Sequence, residues 1–188
     1  MKTYFTSDLH FNHSKICEFT DRKLFTSPED HTEWLIEIWN KQVTKQDQVY
    51  HLGDFSITHK QEEVNSVIKH LNGQKFFIKG NHDRSEIFDN LKKANLIQNW
   101  FQYKEIKVSD TPACLFHFPI ASWHRQHYGS LMLHGHSHGS FQGKGKILDV
   151  GIDNAYNIFG EHRLFKQEDV LEFMHQRDVF TVDHHKTN

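Results

Sequence analysis

Cysteine is scarce in this chain. Cys17 and Cys114 are the only two among 188 residues, they stand far apart, and neither is part of a C-x-x-C. A disulfide framework and a cysteine-built zinc site are both disfavoured, and a reducing, cytoplasmic setting is expected. Long apolar runs are missing too. Nothing approaches the roughly 20 residues that a bilayer span needs. The opening MKTYFTSDLH has one lysine but no apolar stretch of signal-peptide length, so no membrane association is expected. Charge of one sign is likewise absent: the net charge is -2, and no global field draws the chain to nucleic acid or to an anionic surface. Any affinity for phosphate must come from a local site. Linkers, repeats and low-complexity segments are also lacking. The length suffices for one domain with a sizeable core, expected over 1–178, with a polar tail over 179–188.

What the chain has in excess is histidine, 17 residues in all. Three of them fall in HGHSH (134–138), directly after the apolar run SLML, where a buried core has little use for them. The surrounding pattern supplies a scaffold. TYFTS (3–7), QVYHLGD (48–54) and KFFIKGNHD (75–83) each begin as a strand and run into a polar turn. Between them lie helical stretches. The first, 27–43, is opened by Ser27 and Pro28 and marked by Trp34, Leu35, Ile38 and Trp39, which we assign to the core. The second, 60–71, carries Val64, Val67, Ile68 and Leu71 and stops at Asn72-Gly73. The third covers 85–94. Then NWFQYKEIKV, ACLFHF, SLMLHGH and KILDVGI read as strands, and KQEDVLEFMHQR closes the chain as a helix. The order is that of a layered α/β or α+β domain, two packed sheets with helices outside.

The polar residues gather where the strands end. Asp8 and His10 follow the first, Asp54 the second, Asn81, His82 and Asp83 the third; His117 ends a later strand, and His134, His136 and His138 end another. Strand ends that share one sheet edge are where α/β proteins build sites. Asp8 and His10 are two apart, as are His136 and His138, so in an extended segment each pair faces one side. Imidazole, carboxylate and amide donors suit manganese, iron, zinc or nickel. Seven candidates (Asp8, His10, Asp54, Asn81, His117, His136 and His138) exceed one tetrahedral ion and suit two ions bridged by a carboxylate. Two divalent cations outweigh two carboxylates, which leaves a positive hole for phosphate.

Together SDLH (7–10), LGDF (52–55), KGNHD (79–83), FHFP (116–119) and HGHSH (134–138), in that order, resemble the calcineurin-like metallophosphoesterase superfamily. DVGIDN (149–154) is similar to the strand after the last motif in its small members. The resemblance implies a four-layer α-β-β-α sandwich of two mixed sheets and a metal-dependent phosphoesterase working through a di-metal-activated hydroxide. It implies that Asp8, His10, Asp54 and His138 hold one ion, that Asp54 bridges, and that Asn81, His117 and His136 complete the second. His82 then stands as the non-ligand group that assists the leaving oxygen, with Asp83 orienting His82 or the Asn81 amide.

Around this set, Asn12, His13 and Arg84 are candidate substrate contacts, as are Trp123, His124 and Arg125 of ASWHRQHYG, against an ordinary loop with a buried tryptophan. Gly53, Gly80 and Gly135 are read as freeing tight turns before the ligands. The expected substrate is a small phosphorylated molecule, a nucleotide among the options, with two divalent ions, manganese foremost. A nuclease on DNA or RNA is the enzymatic alternative, although the net charge does not favour it. A protein phosphatase would have Glu where Asp83 stands. A non-catalytic interaction module on the same fold would have lost ligands, and here every position is filled.

Overall fold

Alternation along the strands sorts the apolar residues into layers. The structure, a computed structural model, describes residues 1–180 and 182. In β1 (Thr3–Thr6), Tyr4 and Phe5 face opposite ways; Val49 and Tyr50 do so in β2 (Gln48–His51), and Phe77 and Ile78 in β3 (Gln74–Ile78). The first member of each pair joins one core with Leu35 and Trp39 of α1 (Pro28–Gln42), Val64, Val67 and Ile68 of α2 (Gln61–His70), and Phe88 and Leu91 of α3 (Ser85–Lys93). The second member meets the other sheet.

That other sheet contributes Val108 of β5 (Tyr103–Val108), Leu115 of β6 (Thr111–Phe116), Leu131 and Leu133 of β7 (Leu131–His134) and Leu148 of β8 (Ile147–Asp149). Its far face holds Cys114, Met132 and Ile147, covered by Trp123. The sheets are β4-β3-β2-β1-β9, with β4 at Asn99–Phe101 and β9 at Phe165–Lys166, and β5-β6-β7-β8. β9 is antiparallel in the first and β5 in the second, while every other pairing is parallel. These are the two packed mixed sheets that the resemblance implies, with α1, α2 and α3 on the outer face of the first.

Helix α1 begins as its sequence dictates: Ser27 Oγ accepts the Asp30 N–H at 3.1 Å, and Pro28 occupies the first turn. Two stretches differ from expectation. The run 99–108 is not one strand: it pairs with β3 as β4, leaves at Gln102, and pairs with β6 as β5, so it carries the chain between sheets. The run 146–152 ends as a strand at Asp149, and Ile152 opens α4 (Ile152–Phe159). Ile152, Ala155, Tyr156 and Phe159 have helical spacing, which a strand extended to Ile152 conceals. α5 (Gln167–His175) is the closing helix. Val179 and Phe180 are exposed, and most of the expected tail, including the DHHK histidines, lies outside the described residues.

Parallel pairing positions the site. The C-terminal ends of β1, β2 and β3 open in one direction, as do those of β6 and β7. The two rims are tied together: Ile152 N–H donates to Ser7 O at 3.3 Å, and His136 N–H to the Asp8 carboxylate at 2.9 Å.

Candidate metal centre

The loops leave their strands through strained backbone. Asp8, His10, Asp54, His136 and His138 all have positive φ, between 46° and 69°. Non-glycine residues avoid this region unless their surroundings hold them there, and such strain gathers at functional sites. It also corrects the expectation of extended pairs. Asp8 and His10 lie beyond β1, and left-handed kinks, not a pleat, turn both toward one point. His136 and His138, beyond β7, are kinked in the same way but part: His138 turns toward Asp8 and His10, and His136 toward Asp54 and His117.

Glycine makes the approach possible. Gly53 has φ of 101°, a turn that only glycine takes readily. Gly80 and Gly135 serve differently from the turn role expected of them: their φ is ordinary, but a Cβ would lie 2.5 Å from Asp8 Oδ2 at Gly135 and closer still to Asp54 Oδ1 at Gly80.

The candidate ligands meet in two groups. Asp8, His10 and His138 offer donor atoms within 4.8 Å of one another, and so do Asp54, His117 and His136. Asn81 adjoins the second group, its Oδ1 2.9 Å from His117 Nε2. Hydrogen bonds choose the free nitrogens. The Leu52 carbonyl, 2.8 Å from His117 Nδ1, can only accept, which leaves Nε2 turned to Asn81 and Asp54. Asp153 Oδ2 accepts from His138 Nδ1 at 2.7 Å and leaves Nε2 toward Asp8. The rings of His10 and His138 stack at 5.4 Å.

Electrostatics fits cation binding. Burial pushes the Asp8 carboxyl up to about 7, and the Asp149 charge adds to it. Burial also lowers His10 well below the usual imidazole range. For Asp54, burial acts upward but is outweighed by the His117 hydrogen bond and charge, which hold it below the carboxylate range. Burial would lower His117, yet the Asp54 hydrogen bond and the Asp8 charge raise it to about 8. His10 is decisive for fit. It is 3% exposed, and neither ring nitrogen has a hydrogen-bond partner. A buried imidazole with two orphaned nitrogens is costly unless something binds it, and a divalent ion among N and O donors is such a partner.

A family model for calcineurin-like phosphoesterases matches residues 1–188. The chain belongs to the calcineurin-like phosphoesterase family. It is 30% identical to the Gene 66 protein of Mycobacterium phage D29 over 182 aligned positions, covering 82% of this chain and 89% of that protein. It is 31% identical to the uncharacterized protein MJ1445 of Methanocaldococcus jannaschii over 140 positions, 74% of this chain and 70% of the other. Among solved structures, a protein of unknown function from Aquifex aeolicus, AQ665, shares the fold. Its TM-score is 0.67 at 21% identity, over 92% of this chain and 98% of that one. As a calcineurin-like phosphoesterase the chain is a metal-dependent hydrolase of phosphate esters. No helix among its described residues is long and apolar enough to cross a membrane.

The remaining candidates of this phosphoesterase are distributed unevenly. His82 stands at the lip, its side chain 45% exposed and its Nε2 3.9 Å from Asp54 Oδ2. Asp83 is buried, and its carboxylate accepts the N–H groups of Asp54 (2.8 Å), Phe55 (3.0 Å) and Gly80 (2.8 Å), so it locks the Asp54 loop to the Asn81 loop. His13 lies near the ligands, its ring 6.0 Å from that of His10. Asn12 is bonded through its N–H to Thr32 Oγ1 at 3.0 Å and opens onto a groove lined by Glu29, Glu33, Glu37 and Glu63. Arg84 is exposed at the start of α3.

Trp123, His124 and Arg125 find their partners elsewhere. Trp123 is buried against Cys114 and Met132 and donates to Ser130 O at 3.0 Å. His124 Nδ1 pairs with Glu105 on β5 at 2.9 Å, and the Arg125 guanidinium lies over Tyr128. His134, left out of the ligand set, is buried with Nδ1 donating to Gly135 O.

Sequence reasoning missed three residues that hold this phosphoesterase's loops. Asp149 accepts from Ser137 Oγ (2.6 Å) and Gly139 N–H (2.9 Å), pinning HGHSH. Asp153 holds His138, and Arg22 holds Asp153. The two aspartates were signalled by DVGIDN; Arg22 stands in no motif quoted from the sequence.

Proposed function

We propose that this phosphoesterase carries two divalent ions and hydrolyses phosphomonoesters or phosphodiesters of nucleotides or other small phosphorylated molecules. The observation that carries this reading is the position of Asp54. Its Oδ2 lies 3.9 Å from His10 Nε2, in one ligand group, and 3.4 Å from His117 Nε2, in the other. Asp8, His10, Asp54 and His138 would hold one ion, and Asp54, Asn81, His117 and His136 the second. Manganese leads for this donor set, with iron, zinc and nickel as alternatives. Bound there, divalent ions would supply Lewis-acid charge to the phosphoryl oxygens and lower the pKa of water.

The chain's own groups do the rest. Asp83 fixes where Asp54 sits. His82 stands beside the ligand groups, its Nε2 3.9 Å from Asp54 Oδ2, which supports a role as proton donor to the departing oxygen, one that matters most for alkyl leaving groups. Phe118, 36% exposed, packs against the rings of His117 and His136 (4.9 and 4.6 Å) and offers a surface on which a base can stack, which supports a nucleotide. A polynucleotide is less favoured, because the groove beside Asn12 is lined by glutamates and would repel it. Cys17 and Cys114, free and buried, support a reducing compartment such as the cytoplasm.

The test is a panel of aryl and alkyl mono- and diesters on metal-stripped and manganese-reloaded protein, with His82→Ala alongside. We expect turnover only after reloading. His82→Ala should lose roughly 10²–10⁴-fold on alkyl esters, much less on activated aryl esters, and keep its metal. Equal loss on both ester types together with loss of metal makes His82 a ligand and overturns its assignment.

A further inference from the structure

The ligand groups leave Arg22 and Asp153 unexplained. The Arg22 side chain is 0% exposed and that of Asp153 7%. Arg22 Nε and Nη2 donate to Asp153 Oδ1 and Oδ2, each at 2.7 Å, a two-pronged pairing. Nη2 also donates to the Asp8 carbonyl at 2.6 Å and Nη1 to the Leu9 carbonyl at 3.0 Å. The same Asp153 Oδ2 accepts from His138 Nδ1. One guanidinium therefore grips the strained backbone between Asp8 and His10 and, through Asp153, the ring of His138. All three residues belong to one ligand group. The other group is held by different means, Asp83 on Asp54 and the Leu52 carbonyl on His117.

A buried ion pair is a poor device for stability alone, since apolar residues of similar volume often do as well. A carboxylate on the far nitrogen of a ligating histidine, by contrast, fixes its tautomer and makes it a stronger donor. We propose that Arg22 and Asp153 are positioning residues for one metal position only, that of Asp8, His10 and His138, and that they set its affinity while leaving the Asp54, His117 and His136 position nearly untouched. The inference rests on the two-ion reading above.

The test is manganese titration of metal-stripped protein by calorimetry, with electron paramagnetic resonance to distinguish coupled pairs from single ions. The variants are R22K, which keeps the charge but loses the fork, and the double variant R22Q/D153N, which leaves no unpaired buried charge. Circular dichroism checks folding. We expect the wild type to take up two ions. Both variants should bind one ion as the wild type does and the other roughly 10–100-fold more weakly, so that intermediate loading gives uncoupled manganese signals. Even weakening of both ions, or of neither, overturns the inference alone. Failure of both variants to fold assigns the pair to stability and also overturns it. Uptake of fewer than two ions by the wild type sinks the two-ion reading and the inference with it.

Discussion

Gly135 has no room for a single added carbon. A Cβ there would lie 2.5 Å from both Asp8 Oδ2 and Ser7 Oγ, and the residue joins two strained ligand segments, so neither neighbour can retreat freely. Gly135→Ala should therefore displace the Asp8 carboxylate. The expected cost is about 1–3 kcal/mol of stability, typical of overpacking, with weakened metal binding. Urea denaturation with and without manganese checks both, and an unchanged metal affinity would show that Asp8 is not held by this contact. At this scale the sequence was partly legible. Asp8, His10, Asp54, Asn81, His117, His136 and His138 could be named because motif order singles them out, and the structure brings them together. Why glycine stands at 80 and 135 could not be read, because the reason is a carboxylate approaching from another loop. Arg22 was illegible for the same cause: its partner Asp153 is 131 residues away.

Helix α1 shows what an element reveals and what it hides. Its cap, its first-turn proline and the apolar stripe of Leu35 and Trp39 are local signals, and they sit where the sequence puts them. The split of 99–108 into two strands is a tertiary choice between two sheets, and nothing local marks Gln102 as the crossing. His31, on the same helix, is buried beside the Arg22 guanidinium and the Phe25 ring, neighbours that helical spacing does not supply. The Arg22 guanidinium can only donate, so His31 Nε2, 3.4 Å from Nη1, faces it as a lone pair. Burial, with the Arg22 charge, lowers the His31 pKa to about 3 from an ordinary 6.5. Between those values the unfolded chain binds the extra proton and the folded one does not, so stability rises with pH there. The contribution is complete above pH 6.5 and is lost as pH falls toward 3, at up to roughly 1.4 kcal/mol per unit. His31→Gln should flatten this part of the profile. Urea midpoints for both proteins between pH 4.5 and 7.5 measure it, and parallel curves would show that His31 is charged in the fold.

At the scale of the whole molecule, the site is a seam. Loops of the first sheet supply Asp8, His10, Asp54 and Asn81, and loops of the second supply His117, His136 and His138. The two sheets could be expected from strand order and composition, but their contact at the rim could not, because it depends on backbone bonds such as His136 N–H to Asp8 and Ile152 N–H to Ser7. A seam lined by buried carboxylates repels itself: burial and the Asp149 charge already push the Asp8 carboxyl to about 7. Cations bound between the rims, as proposed above, would remove that repulsion and link one sheet to the other, and because the unfolded chain has no such cluster, they would bind the folded state preferentially. Stripping the metal should then lower the melting temperature, and adding it back should raise it with concentration. At 100 times the dissociation constant one site contributes about 2.7 kcal/mol, and the effect grows logarithmically beyond that. Scanning calorimetry of chelated protein against a manganese series checks the slope. Asp54→Asn, which takes a charge from the carboxylate that reaches both groups, should blunt the response more than any single histidine substitution. A melting temperature indifferent to millimolar manganese would mean that the two rims are joined without metal.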